Sequence, residues 1–416
     1  MRLLLLTSNL PWPMEVHGGA QRTALLLEAL RRFSEVDIAF VSWSEESVEL
    51  ARQASERAER IVGYFYVPDH SRSTGLLSKL PLLGKPFRTA HAHLAKYEAN
   101  APFASWLKGS LQDGRYDGVV SRFLWPGAVG DLAHIRNVPK FLDWDDLDHL
   151  KLESQIEMSP WTGIRGLVSK SLTLRKMTNY CLAEAARYDH IWVAKSNDVA
   201  RIPGKSVSVL PNIPFADNAP ERSAPLTGRA DILFVGNLTY LPNSDGLTRF
   251  LESVWPRIHA ACPNARVLAI GPPPFADVRA QWQRIEGVEI VGLVPSLLSY
   301  FQNAALSVCP VEWGGGSNIK AVESLGYGVP CVVSPYTFSA FQEDFGRSTG
   351  MICARSDDEY ALACIELLKS PQVADEIGRA GQRVARSLYS KERFQELVRK
   401  GILGAGSVSN PRPPGL

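Results

Sequence analysis

Short, nearly unbroken apolar runs recur along the chain, and between them apolar residues fall at helical spacing. Residues 1–13, MRLLLLTSNLPWP, are expected to form a buried strand that stops at a proline-rich turn. The next segment, HGGAQRTALLLEALRRFSE, carries leucines and alanines at helical spacing, so strand, glycine loop and helix follow in order. VDIAFVSW, DGVVSRF, PKFLDW, HIWVAK and VSVLPN read as further short strands of a parallel sheet, filling a first domain over residues 1–214. The stretch PFADNAPERSAPLTGRA, rich in Pro, Ala and charge, breaks the periodicity and is expected to be a linker at 215–229. A second series then runs through DILFVGN, a helix over RFLESVWPRIHAAC, ARVLAIG, VEIVGLV, LSVCPV, a helix over IKAVESLGYG, PCVVS and a helix over DDEYALACIELLKS. It places a second domain at 230–385, an amphipathic helix at 386–403 packing back on the first domain, and a disordered tail at 404–416. Two successive arrays of this kind predict an α/β protein of two Rossmann-like, doubly wound domains facing each other across a cleft.

Composition narrows the function classes. A chain of 416 residues with 45% hydrophobic content can bury two cores of ordinary domain size. Its 45 basic and 43 acidic residues leave a net charge of +2, which gives no global reason to expect nucleic acid as a partner. The six cysteines, Cys181, Cys262, Cys309, Cys331, Cys353 and Cys364, show no metal-type spacing and read as buried thiols of a reducing compartment. The early apolar run is cut by Thr7, Ser8 and Asn9, too soon for a signal sequence or membrane span, so a cytoplasmic protein is expected.

In doubly wound domains ligands sit at the carboxyl ends of the strands, so the loops there carry the candidate chemistry. In the second domain these loops begin at Gly236-Asn237, Pro272, Leu293-Val294-Pro295 and Val311. The last continues as Gly314-Gly315-Gly316-Ser317-Asn318 directly into a helix, a sequence whose backbone N–H groups suit a diphosphate. Lys320 then neutralises phosphate charge, and Glu323, one turn on, accepts ribose hydroxyls. A plain glycine turn followed by a solvated Lys and Glu would give the same three glycines.

The wider context favours the site. Glu323-Ser-Leu-Gly-Tyr-Gly328-Val-Pro330-Cys-Val-Val333 resembles the pattern of family 4, or group 1, glycosyltransferases, which have the GT-B fold. The run from Gly236 to Gly246, GNLTYLPNSDG, is similar to the opening of the C-terminal domain in that family's bacterial exopolysaccharide branch. The resemblance is strongest over residues 231–336. It implies a nucleoside diphosphate sugar as donor, held by the second domain, with its base read near Val294, and no metal or other cofactor. Two departures stand out. The family's second Glu, eight positions before the ribose Glu, falls on Gly315, and Glu312 lies too far off to replace it by position alone. The Arg and Lys that usually follow the first strand of this domain are absent between Asn237 and Leu247, so the diphosphate charge passes to Lys320, with Asn318 and Arg22 assisting.

In the first domain the loop Val16-His17-Gly18-Gly19-Ala20-Gln21-Arg22 also opens a helix, and the resemblance places its glycine pair at the phosphates and acceptor. A structural turn would equally explain Gly18 and Gly19. The run Asp143-Trp144-Asp145-Asp146-Leu147-Asp148 gathers four carboxylates at a strand end, where mutual repulsion raises a pKa and Asp143 is expected to act as base or to hold an acceptor hydroxyl. Helix capping by Asp145 or Asp146 is the competing assignment. Arg122, ending another strand, is expected to meet phosphate or acceptor. Residues 72–96 and 161–180 carry five and four Lys or Arg without an acid, interleaved with leucines, which suits peripheral contact with an anionic membrane and a lipid-linked acceptor.

Together these readings predict a glycosyltransferase, retaining by family resemblance, that moves a sugar from a nucleoside diphosphate to a hydroxyl of a glycan or lipid-linked acceptor in surface polysaccharide synthesis. A sugar-nucleotide epimerase and a nucleotide-binding subunit without turnover share the same architecture.

Overall fold

The computed structural model describes residues 1–12, 18–55, 60–68, 93–158, 163–203, 206–214, 219–220, 228 and 230–406. The chain divides into two compact units, Met1–Pro211 with Phe394–Leu416, and Asn212–Arg393.

The first unit is built on seven strands, β1 (Arg2–Thr7), β2 (Glu35–Ser42), β3 (Ile61–Tyr66), β4 (Gly118–Arg122), β5 (Lys140–Asp143), β6 (His190–Val193) and β7 (Val207–Val209). They form one sheet in the order β3-β2-β1-β4-β5-β6-β7, every pair parallel. The leucine run sits at its centre, with Leu5 opposite both Ile38 and Val120. Leu4 and Leu6 join the core with Val119, Leu142 and Ile191, while Leu3 and Leu5, one residue out of phase, are as fully enclosed on the other face. This two-sided burial is why the strands read as continuous apolar runs rather than alternating ones. The helix Lys391–Gly406 belongs to this unit from Phe394 onward; Phe394, Val398 and Ile402, four apart, are its buried stripe, and Gln395 bonds Glu28 at 3.1 Å.

The second unit repeats the plan with β8 (Asp231–Val235), β9 (Arg266–Ile270), β10 (Val288–Gly292), β11 (Ala304–Cys309), β12 (Cys331–Val333) and β13 (Met351–Cys353), in the order β10-β9-β8-β11-β12-β13. All of its pairs are parallel as well. The helix expected over residues 249–262 begins earlier, at Leu241, and runs on through a π-helical turn, Phe250–Val254, to Ala261. Among the elements that the hydrophobic pattern did not single out are β3, β13 and the helix Pro371–Leu388, whose apolar positions are mostly Ala and Gly. The six cysteines are free thiols, four of them buried. Among the described residues no helix is long and apolar enough to cross a membrane.

Candidate functional site

In each sheet the strand order reverses at one place, between β8 and β11 in the second unit and between β1 and β4 in the first. The loops leaving these paired strands diverge and open a crevice, the usual ligand position in such sheets.

In the second unit the crevice is bounded by the loop after β8, starting at Gly236, and by the glycine loop after β11. Gly314 has φ +117, and a Cβ there would stand 2.8 Å from Pro242 and 2.9 Å from the Tyr240 hydroxyl. Only glycine fits that backbone and that space. The Gly315 N–H donates to the Tyr240 hydroxyl at 3.0 Å, and Tyr336 donates its hydroxyl proton to the Gly314 carbonyl at 2.6 Å. Asn318 is left-handed at φ +52, and its amide donates to Thr337 Oγ1 at 3.2 Å. Ser317 is buried and accepts from Asn212 at 3.1 Å. The loop is thus a braced turn. Among the described residues, the amides of Gly316, Ser317 and Asn318 meet no protein acceptor.

Lys320 opens the helix Lys320–Gly326, and its ammonium donates to Asn243 Oδ1 and lies 4.9 Å from the centre of the Phe234 ring. Asn243, itself buried, is oriented by donating to the Asn237 carbonyl at 2.8 Å. The Asn237 side-chain oxygen accepts from Thr239 N and Oγ1, at 2.9 and 2.7 Å. The ammonium also stands 3.0 Å from where a Cβ on Gly236 would be, so Gly236 leaves it room. Burial pushes the Lys320 pKa down, and among the described residues no carboxylate pairs with it. A desolvated cation beside phosphate-type amides is an anion site. Glu323 is buried one turn along, and burial first, then its charge, raises the Tyr327 hydroxyl to about 12. Glu312 is committed elsewhere, at 2.8 Å from Arg249, which also holds Asp357 at 2.6 Å. Val294 is half-buried in a small apolar cluster with Val235 and Tyr327, and its neighbour Leu293 is 75% exposed.

The first unit fills its crevice differently. The helix Gly18–Arg31 starts at an exposed Gly18, with Gly19 half-buried behind it; His17 lies outside the described residues. Arg22 is buried and donates to both oxygens of Asp143, Nε at 3.1 and 3.0 Å and Nη2 to Oδ1 at 2.6 Å. Arg122, at the end of β4, makes a two-pronged bond to Asp145 at 2.8 and 2.9 Å and brings its Nε to 3.3 Å from Asp143. Arg22 Nε closes the ring at 3.9 Å from Asp145. Two cations and two anions therefore neutralise one another, with Arg122 and Asp143 fully enclosed. The next residue, Phe123, carries φ +71 and lays its ring 3.7 Å from the Arg122 guanidinium, a strained backbone held in place by this packing.

Three expectations are corrected here. Asp143 offers no oxygen to a substrate, since both face guanidinium groups, so a base role does not follow from its placement. The Asp145 pKa is not raised: burial alone would lift it, but Arg122 and then Arg22 hold it below the ordinary value. Arg22 and Arg122 are spent on these carboxylates rather than aimed at phosphate, and Asp145 caps no helix, because its oxygens take the Arg122 fork.

Residues 229–370, within the second unit, match the family model of glycosyl transferases group 1. That stretch is similar to group 1 glycosyltransferases, and the chain has the GT-B fold. No protein with curated annotation matches its sequence significantly. Among solved structures, the chain resembles sucrose-phosphate synthase from Thermosynechococcus elongatus, with 16% identity, TM-score 0.64, and 98% of this chain and 100% of that one covered. It also resembles HepE from Anabaena in complex with UDP, with 11% identity, TM-score 0.65, and 97% and 99% covered. TarM of S. aureus, in complex with Fondaparinux, alpha-GlcNAc-glycerol and UDP, aligns at 10% identity and TM-score 0.63, with 97% and 99% covered. These likenesses speak for the fold.

Of the residues read from sequence, Gly236, Asn237, Gly314, Gly315, Gly316, Ser317, Asn318, Lys320 and Glu323 are gathered around the second crevice, and Gly18, Gly19, Arg22, Arg122, Asp143 and Asp145 around the first. Sequence reasoning passed over Tyr240, Asn243 and Tyr336. The Pro242-Asn243 pair was visible in the GNLTYLPNSDG run, but no local signal ties either tyrosine to a glycine loop 75 or 22 residues away.

Proposed function

We propose that this protein is a glycosyltransferase that transfers a sugar, with retention, from a nucleoside diphosphate to a hydroxyl of a glycan or lipid-linked acceptor in surface polysaccharide synthesis. The second unit binds the donor. Its ribose hydroxyls lie on Glu323, its diphosphate on the amides of Gly316 and Ser317 and on Lys320, and its base near Val294. The observation that carries this reading is Lys320, a desolvated ammonium without a carboxylate partner among the described residues, beside the braced glycine loop. As the sugar–oxygen bond breaks, negative charge grows on the leaving diphosphate, and fixed donors in a dry site stabilise it without reorganising. Neither unit needs a metal for that step in this scheme. UDP is the first nucleotide to test, because HepE and TarM are each described in complex with it.

A peripheral place on an anionic membrane is supported by the helix Gly163–Ala185, where Leu167 and Val168 are 59% and 54% exposed near Lys170, Arg175 and Lys176. Residues 72–92 of the other basic stretch lie outside the described residues.

The test is a thermal-shift screen of nucleoside diphosphates and their sugars against the protein and Glu323→Ala. A bound ligand at a hundred times its Kd adds about 2.7 kcal/mol of stability, an easily read shift. Wild type stabilised by one nucleotide class, with the variant unresponsive, supports the assignment. No response to any nucleotide overturns it.

A further inference from the structure

Tyr240 meets the glycine loop through its hydroxyl. Its hydroxyl oxygen accepts the Gly315 N–H at 3.0 Å, and a Cβ on Gly314 would stand 2.9 Å from the same atom. Tyr240 follows the loop after β8 and precedes the helix Leu241–Arg249, so it crosses from one wall of the crevice to the other. An oxygen that accepts a backbone N–H still carries its own proton, and no described residue accepts that proton. Tyr240 as a residue is 36% exposed. Polarised by the amide behind it, the O–H is a stronger donor than an isolated phenol.

We propose that Tyr240 is a phosphate-binding residue that relays the Gly315 amide onto the donor, as N–H to hydroxyl oxygen and hydroxyl proton to a diphosphate oxygen. This deepens the function proposed above and rests on it. The relay explains how the loop binds an anion although the Gly315 amide is already occupied: the hydroxyl carries that amide's polarity outward by one atom. It also accounts for a group at the place where the sequence has Gly315 and no acidic side chain. The Glu expected there by family resemblance would contact the sugar, whereas Tyr240 donates and so contacts the diphosphate. The two roles are chemically opposite, since a carboxylate accepts.

Isothermal titration of UDP and of uridine into wild type and Tyr240→Phe separates the outcomes, with Glu323→Ala titrated in parallel. The Phe variant keeps the ring and loses only the hydroxyl, and its melting temperature without ligand serves to confirm the fold. Loss of one hydrogen bond to a charged group weakens UDP by about tenfold or more. Uridine, which has no phosphate, is expected to bind both proteins alike. UDP affinity in Tyr240→Phe within twofold of wild type, or an equal loss for uridine and UDP, overturns the proposal while leaving the function standing. Wild type that binds neither UDP, GDP nor ADP overturns the function and the relay together.

Discussion

Replacing Asp143 by Leu should show what the four-charge ring is worth. The native ring is neutral: Arg22 and Arg122 face Asp143 and Asp145, and Asp143 makes contacts at 2.6 to 3.3 Å with both arginines. Leu at 143 leaves two guanidinium groups, both nearly or fully enclosed, sharing Asp145. Removing one partner of a buried ion pair costs about 3–5 kcal/mol, because the remaining charge stays desolvated. Deleting the second charge as well, in Arg22→Met with Asp143→Leu, restores neutrality around Arg122 and Asp145. The double variant should therefore be more stable than Asp143→Leu alone, by about 2 kcal/mol or more. Hydrogen exchange of peptides covering β4 and β5, read by mass spectrometry, reports the opening free energy of this region without requiring both units to unfold together. Contacting residues of one network give coupling energies above about 0.5 kcal/mol, whereas independent sites add within that margin. If the two substitutions simply add, the ring is not an electrostatic unit and the reasoning fails.

Other outcomes follow from single environments. Gly314→Ala should lose nucleotide binding while the protein still folds, since φ +117 and the 2.8 Å approach to Pro242 both exclude a Cβ; unchanged UDP affinity would show that the loop is not the phosphate site. Lys320→Met should weaken UDP by one to two orders of magnitude, about 1.5–3 kcal/mol, yet leave the ligand-free melting temperature the same or higher, because a desolvated ammonium is removed. With the Lys320 pKa lowered, the affinity of wild type for UDP should also decline at an alkaline pH below that expected for an exposed lysine, a trend absent in Lys320→Met. His190 is buried between Ser206 and Ser208, and burial brings its pKa to about 4, from 6.5 in the unfolded chain. The unfolded chain then takes up a proton that the folded one refuses, so stability is full above pH 6.5 and falls as pH drops toward 4, by up to about 3 kcal/mol. Urea unfolding at stepped pH should show that slope flattened in His190→Asn.

The parts of the fold that announce themselves in sequence are those buried on both faces. RLLLLT, DILFV and AALSVC are apolar throughout because helices cover each side of the sheet, and the strands were readable on that ground alone. The edge strand β3 is IVGYFY with a mixed burial pattern, and β13 is three residues long, so neither builds a run that stands out. The helix Pro371–Leu388 buries Ala374, Gly378, Gly381 and Ala385, small residues that lie close to their neighbours without looking hydrophobic. The candidate site divides in the same way. Glycines and the Lys and Glu that follow them are local, and their order along the chain foretells their grouping. The partners of Asp143 are 121 residues and 21 residues away, so its sequence context, four acids in six positions, suggested mutual repulsion where the fold supplies two arginines.

The two units use the same topological feature to opposite ends. At the reversal between β1 and β4, helix, strand ends and four charges close into a neutral ring, and the strained Phe123 packs against its Arg122. At the reversal between β8 and β11, the enclosing groups are neutral, namely Tyr240, Tyr336, Asn243 and Thr337, and a single ammonium stands among them. A buried cation without a counter-ion is costly, and a fold retains that cost where a ligand supplies the missing charge. The aspartates of the first unit looked like chemistry because they were many; the lysine of the second is the stronger candidate because, among the described residues, no carboxylate pairs with it. On that argument, moving a carboxylate into its reach should abolish the site without disturbing the fold. Asn243→Asp places one directly on the Lys320 ammonium, and it should bind UDP as poorly as Lys320→Met while melting no lower than wild type. Undiminished UDP affinity in Asn243→Asp would mean that the charge of Lys320 is not what holds the nucleotide.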